Sequence, residues 1–135
     1  MTAYISISYS NRKNLQAEVD AIMEILQRYS ITGFVFADAY SFNASQEKEM
    51  MAQAFTDIDR CVLLIAETSE KGIGIGVETG YAKAKGKPVI YLRNIAAAHS
   101  TTVSGASDFQ IIYYEVADLQ FQLDNVLKKI NIPEH

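Results

Sequence analysis

Gly72-Ile73-Gly74-Ile75-Gly76-Val77-Glu78-Thr79-Gly80-Tyr81 is the stretch whose reading decides the fold. It follows an apolar run, Cys61-Val62-Leu63-Leu64-Ile65-Ala66, and leads into Ala82-Lys83-Ala84-Lys85-Gly86. A short run rich in Val, Ile and Leu, bounded by turn formers, reads as a buried parallel strand. A glycine-rich loop comes next, then a helix that Gly86 ends, with Lys83 and Lys85 in the last turn where the dipole favours cations. Strand, glycine loop and helix is how an open α/β sheet builds a site beyond the carboxyl ends of its strands. The glycines admit a ligand close to the backbone, and the helix-start amides point at it. The spacing predicts Glu78 in the first turn of that helix, ionised, and the one carboxylate that local sequence aims at such a pocket. The glycines read G-x-G-x-x-x-G and no G-K-S/T follows, so neither a dinucleotide fingerprint nor a P-loop fits. On these residues alone, a tight strand-to-helix connection with an ordinary helix-start acid stays open as an alternative.

The chain on either side repeats the same alternation. Tyr4-Ile5-Ser6-Ile7-Ser8 is β-prone and predicts the first strand, followed by a polar run from Tyr9 to Asn14. Leu15, Val19, Ile22, Met23 and Leu26 fall at helical spacing to about Tyr29. Gly33-Phe34-Val35-Phe36-Ala37 predicts a second strand, and Asp38 to Ser45 a loop. Asn43 to Gln46 offer N-caps for a helix whose buried face is Met50, Met51, Ala54, Phe55 and Ile58, the methionines being expected as core filling. Pro88-Val89-Ile90-Tyr91-Leu92 and Gln110-Ile111-Ile112-Tyr113-Tyr114 predict two further strands, separated by a long loop over residues 93–109. Leu119, Leu123, Val126, Leu127 and Ile130 define a closing helix. The order predicts an α/β fold: a doubly wound, five-stranded parallel sheet in a three-layer, Rossmann- or flavodoxin-like sandwich. Loops 8–14, 38–45, 67–77 and 93–107 can reach its crevice, and the last is dense in hydroxyls that suit phosphate or ribose oxygens, or simply a solvated surface.

Composition narrows the class. A chain of 135 residues is expected to form one domain, 1–135, with a core that needs no disulfide or metal. With 49% apolar and 21% charged residues it reads as an ordinary soluble globular protein. A net charge of -4 argues against nucleic acid and against anionic membrane as partners. The single Cys61, inside a buried strand, and the lack of a leader or a long apolar run predict a reducing cytoplasm. His99, His135 and Cys61 leave a zinc site almost without ligands, so no metal is expected.

Together these pieces resemble the nucleoside 2-deoxyribosyltransferase family, and within it the branch of 2′-deoxynucleoside 5′-monophosphate N-glycosidases. The resemblance spans nearly the whole chain. Its most specific part is Gly74-Ile75-Gly76-Val77-Glu78-Thr79-Gly80-Tyr81-Ala82, followed by Gly86-Lys87-Pro88-Val89-Ile90, which matches the family's G-x-G-x-E-x-G-x-A and G-K-P-V/I strand. His99-Ser100-Thr101-Thr102-Val103-Ser104-Gly105-Ala106 is similar to a serine-bearing loop that reaches the phosphate across a dimer interface. The strand ending in Ser8 resembles the family's first phosphate and sugar loop.

The resemblance implies that Glu78 is a nucleophile that attacks the anomeric carbon, expels the base and is released by water or by a second base. That fits the chemistry, since a carboxylate nucleophile suits an oxocarbenium-like centre. It further implies that Gly74 and Gly76 shape the loop and that Ser8 and Ser100 are phosphate ligands, Ser100 in a neighbouring subunit's site; with them, Ser10 and Arg12 of the first loop, Thr102 of the far loop and the glycines Gly72, Gly74 and Gly76 are the expected substrate-binding residues. A homodimer or larger homo-oligomer is implied, with no cofactor; the apolar stripe of the helix Ser45–Ile58, with its two methionines, is a candidate for part of the interface. The chain departs from the family at three places: an aspartate of the second helix falls on Ala54, an arginine of the first loop on Ser10, and a serine before the glycines on Gly72. Asp57, one turn beyond Ala54, and Arg12 are the nearest substitutes. The expected activity is hydrolysis of a (deoxy)nucleoside 5′-monophosphate to free base and sugar phosphate. The alternatives are deoxyribosyl transfer between bases, a non-catalytic nucleotide-binding or sensing domain, and NAD glycohydrolysis, since Tyr4 to Ser10 also resembles the opening of TIR domains.

Overall fold

Alternation along each strand decides which layer its side chains join. In the computed structural model, which describes residues 1–130, β1 (Thr2–Ser6) sends Ala3 and Ile5 into one hydrophobic layer and Tyr4 into the other. The remaining strands are β2 (Thr32–Val35), β3 (Leu63–Glu67), β4 (Val89–Asn94) and β5 (Phe109–Tyr113). All neighbours pair in parallel, in the order β2-β1-β3-β4-β5. This is the doubly wound sheet the sequence predicts. Its direction of growth reverses between β1 and β3, where such sheets open a crevice at the carboxyl ends of the strands.

The helices are α1 (Gln16–Gln27), α2 (Phe36–Ala39), α3 (Glu47–Asp59), α4 (Ile73–Ala84), α5 (Thr101–Ala106) and α6 (Val116–Lys129). Val19, Ile22 and Leu26 of α1 and Leu119, Leu123 and Leu127 of α6 cover one face, over Ile5, Ile65 and Ile111. Ile58, Ile75, Ala82 and Val103 from α3, α4 and α5 cover the other, over Tyr4, Leu64 and Tyr91. Each such buried Val, Leu or Ile side chain contributes roughly 1.5–3 kcal/mol by leaving water. Gly86 ends α4 as the sequence predicts. At φ +73° it takes the left-handed turn, while Gly86 N–H donates to Lys83 O and Lys87 N–H to Ala82 O, both at 3.0 Å, a Schellman closure. No helix among the described residues is long and apolar enough to cross a membrane.

Several expected boundaries are corrected. β1 ends at Ser6 rather than Ser8, and β2 stops at Val35, where Phe36–Ala39 coils into a short helix. The loop expected over 93–109 contains α5, started by the Ser100 hydroxyl accepting from Val103 N–H at 3.3 Å. On α3 the buried residues are Ala54, Asp57 and Ile58, whereas Met50, Met51 and Phe55 are half-buried. The helix is rotated relative to its apolar pattern because part of that pattern faces a cavity instead of the core.

Candidate active site

The loop after β1 and the segment leading into α4 converge at the reversal point of the sheet. A Cβ on Gly72 would touch the Ser8 backbone, 3.4 Å from its Cα, so a larger side chain would push the two apart. Between these segments, α2 and α3 lies a cavity of about 270 Å³. Ser8, Ser10 and Lys71 supply polar groups to it, Phe36, Met50 and Met51 apolar ones, and the Glu78 carboxylate joins them.

Glu78 sits in the second turn of α4, because the helix starts at Ile73 and takes in Gly74 and Gly76. The expected first-turn position, with the dipole holding the carboxylate ionised, is therefore corrected. Burial dominates instead: Glu78 is 9% exposed, and desolvation pushes its carboxyl above the ordinary range. Two hydroxyl donors oppose that shift. Ser6 Oγ donates to Oε1 at 2.7 Å, and the Tyr4 phenol donates to Oε2. Tyr4 and Ser6 share a face of β1 by strand alternation, which is how one strand brings both donors to one carboxylate. The Tyr4 phenol is itself raised, first by burial and then by the Glu78 and Asp57 charges, so it keeps its proton and remains a donor. Sequence reasoning missed both residues. Hydroxyls at period two in an otherwise apolar buried strand were the available signal.

The other expected residues are dispersed. Ser8 is buried on the cavity wall and its Oγ accepts from Asn11 N–H and Nδ2 at 3.3 Å each; Ser10 lines the cavity from an exposed position. Gly72 and Gly74 border the cavity, while Gly76 lies on α4 outside it. Arg12 is clamped by Asp38, its Nε and Nη2 donating at 2.9 and 2.8 Å, and it borders an adjoining groove with Ser10 and Gln16. Ser100 borders a second cavity, of about 350 Å³, and Lys71, Gly72, Ile73 and Ile75 form the wall that the two cavities share. Thr102 is exposed on α5. Ala54 borders the Glu78 cavity and Asp57 does not. Asp57 Oδ1 accepts from Gln53 Nε2 at 3.0 Å, and its buried Oδ2 has no partner. Lys71, which sequence reasoning overlooked, is the cation that lines the same cavity as the expected phosphate ligands Ser8 and Ser10.

Glu78 is not the only buried carboxylate. Glu67, at the end of β3, is fully buried and accepts from Ser69 N–H and the Tyr113 phenol at 2.6 Å each. Tyr113 belongs to the opposite hydrophobic layer, so this pair ties β3 to β5 and stays out of the cavity. No group of three His, Cys, Asp or Glu among the described residues could hold a metal, and His135 lies outside those residues.

A desolvated, hydroxyl-held carboxylate on a cavity at the reversal point of a parallel α/β sheet defines a small-molecule site of the kind such sheets build beyond the carboxyl ends of their strands. The chain belongs to the nucleoside 2-deoxyribosyltransferase family, whose model matches residues 3–131. Among solved structures it is similar to the CMP N-glycosidase BcmB of Clostridium botulinum, at 19% identity over 93% of this chain and 99% of that one, with a TM-score of 0.65. It is also similar to a 2-deoxyribosyltransferase of Bacillus psychrosaccharolyticus, at 12% identity over 89% and 90% of the two chains, with a TM-score of 0.68. A 2-desoxiribosyltransferase of Leishmania mexicana gives 17% identity over 76% and 75%, with a TM-score of 0.55. At these identities the likeness establishes the shared fold. No curated protein matches the sequence.

Proposed function

We propose that the protein hydrolyses the N-glycosidic bond of a (deoxy)nucleoside 5′-monophosphate, with Glu78 as the nucleophile. The observation that carries this reading is the Glu78 carboxylate itself, desolvated on the wall of an apolar cavity with a hydroxyl donor on each oxygen. Desolvation makes the anion a stronger base and nucleophile, and the two donors offset part of that desolvation and aim the carboxylate. Attack at C1′ forms a glycosyl ester as the C1′–N bond breaks, and water then releases the sugar phosphate. Release to a second base instead of water would be transfer, the activity carried in the name of the Bacillus psychrosaccharolyticus relative. Incubation with a panel of nucleosides, 5′-monophosphates and NAD, with and without an acceptor base, tests this directly. Free base from a monophosphate without acceptor supports the hydrolase; base exchange only with acceptor replaces it by the transferase; no free base from any of them leaves a binding domain.

Preference for the monophosphate is assigned to Ser8, Ser10 and Lys71, which together give the phosphate hydroxyl donors and a fixed charge. Lys71→Ala is therefore expected to raise KM for the monophosphate about tenfold and to leave a free nucleoside nearly unchanged, measured by steady-state kinetics on both. An equal rise on both substrates would place Lys71 in loop support.

Ser100 and Thr102 are assigned to the site of a second subunit. The wall between the two cavities ends in bare apolar surface: Ile73 is 91% exposed, and Val77, one turn on, 44%. A second copy of the chain covering that surface removes both from water. Ile73→Glu is expected to shift the protein to monomer in sedimentation at micromolar concentration, with activity falling alongside. A fully active wild-type monomer would remove the dimer and the role of Ser100 in trans.

A further inference from the structure

A base expelled from C1′ leaves into the cavity that holds Glu78, so the walls of that cavity limit which bases can leave. Among the described residues that line it, the ionisable ones are Glu78, Tyr9 and Lys71. Tyr9 is 63% exposed and Lys71 is exposed, so both stand toward solvent. Ile7, Phe36, Ala37, Met50, Met51 and Ala54 on its walls cannot give a proton, and the Ser8 and Ser10 hydroxyls that also line it are far too weak as acids to do so. A neutral base leaves as an anion unless a positioned acid protonates it, and such an acid typically contributes about 10²–10⁴-fold. Asp57 of α3 is off the wall, with Gln53 Nε2 donating to its Oδ1.

The same surroundings favour a positive charge. The charged groups that act on the buried Tyr4 beside the cavity, Glu78 and Asp57, are both carboxylates. Phe36 presents an aromatic ring and Met50 and Met51 polarisable thioethers, groups that attract a flat cation.

We propose that the substrate class is a cationic N-glycoside, a pyridinium-type nucleoside 5′-monophosphate whose glycosidic nitrogen already carries the positive charge. This rests on the reading of Glu78 as the nucleophile. As a Glu78 oxygen bonds to C1′, the C1′–N electron pair passes to the ring nitrogen, and the base leaves neutral without needing a proton. Water then bonds to C1′, the carboxylate departs, and one proton goes to solvent. The cation and one water thus become a neutral base, a free sugar phosphate and a proton.

The test compares 3-carbamoylpyridinium ribo- and 2′-deoxyribonucleoside 5′-monophosphates with their cytosine and adenine counterparts, following free base from about pH 6 to about pH 9 on wild type and Glu78→Gln. The expected result is a pyridinium kcat/KM about 10²-fold or more above the best neutral base, level on the alkaline side and dependent on Glu78. A neutral base released within about tenfold of the pyridinium one, and still dependent on Glu78, overturns the cationic class and leaves the glycosidase reading standing. No free base from any of the substrates, in protein whose circular dichroism shows it folded, overturns the glycosidase reading as well.

Discussion

Glu78→Gln is expected to lower base release by about 10³-fold or more while the protein keeps its fold. The amide matches the carboxylate in size and can still accept from Ser6 or Tyr4, so the packing around α4 survives. What it lacks is the negative charge that makes a carboxylate oxygen a nucleophile toward C1′. Thermal unfolding of the same variant makes a second readout. The folded-state carboxyl of Glu78 is raised by burial above its unfolded value, so the folded protein holds that proton more tightly. The contribution of this group to stability is therefore greatest below the ordinary carboxylate range and is lost as pH rises through the raised value. Above that raised value the wild type carries the loss and the glutamine variant does not. Its Tm is expected to equal or exceed that of wild type, the usual pattern for a strained functional group. Activity retained within a few-fold of wild type would remove Glu78 from the chemistry.

Tyr4→Phe is expected to reduce kcat/KM by about 10- to 100-fold near neutral pH, the range of one hydrogen bond to a charged group. The pH profile separates catalysis from packing. Attack needs the ionised carboxylate, and burial puts the acid limb of kcat/KM above the ordinary carboxylate range. The Tyr4 hydroxyl opposes that shift, so its loss moves the limb to still higher pH. The defect is then largest on the acid side and shrinks as pH rises, because the carboxylate, once ionised, is the stronger nucleophile without its donor. A defect of equal size at every pH would assign Tyr4 to the core alone. Tyr4 also packs against Phe34 and Phe36, with ring centroids 5.9 and 6.3 Å away, and phenylalanine preserves those contacts.

The sequence by itself determined the parallel α/β architecture, the helix stop at Gly86 and the choice of Glu78 as the residue to watch. Each is written in neighbours along the chain: strand-forming apolar runs, helical spacing of three and four, a glycine where the backbone must turn left-handed. Tertiary structure alone decided what surrounds Glu78. Tyr4 and Ser6 lie 74 and 72 residues away from it, and only the pairing of β1 beside β3, under α4, brings them to its oxygens. The same pairing desolvates the carboxylate and reverses the dipole argument, since a local dipole acts only near the helix end whereas burial depends on every layer packed around the group. The rotation of α3 was hidden for a related reason. Met50 and Met51 carry an apolar pattern that fits a core and a cavity wall equally well, and only the packed neighbours distinguish the two. Ser100 likewise carries a capping pattern, Ser before Thr101-Thr102-Val103, inside what reads as a hydroxyl-rich loop. A helix as short as α5 forms through its cap and the burial of Val103 against the sheet, and the second of these is set by the fold.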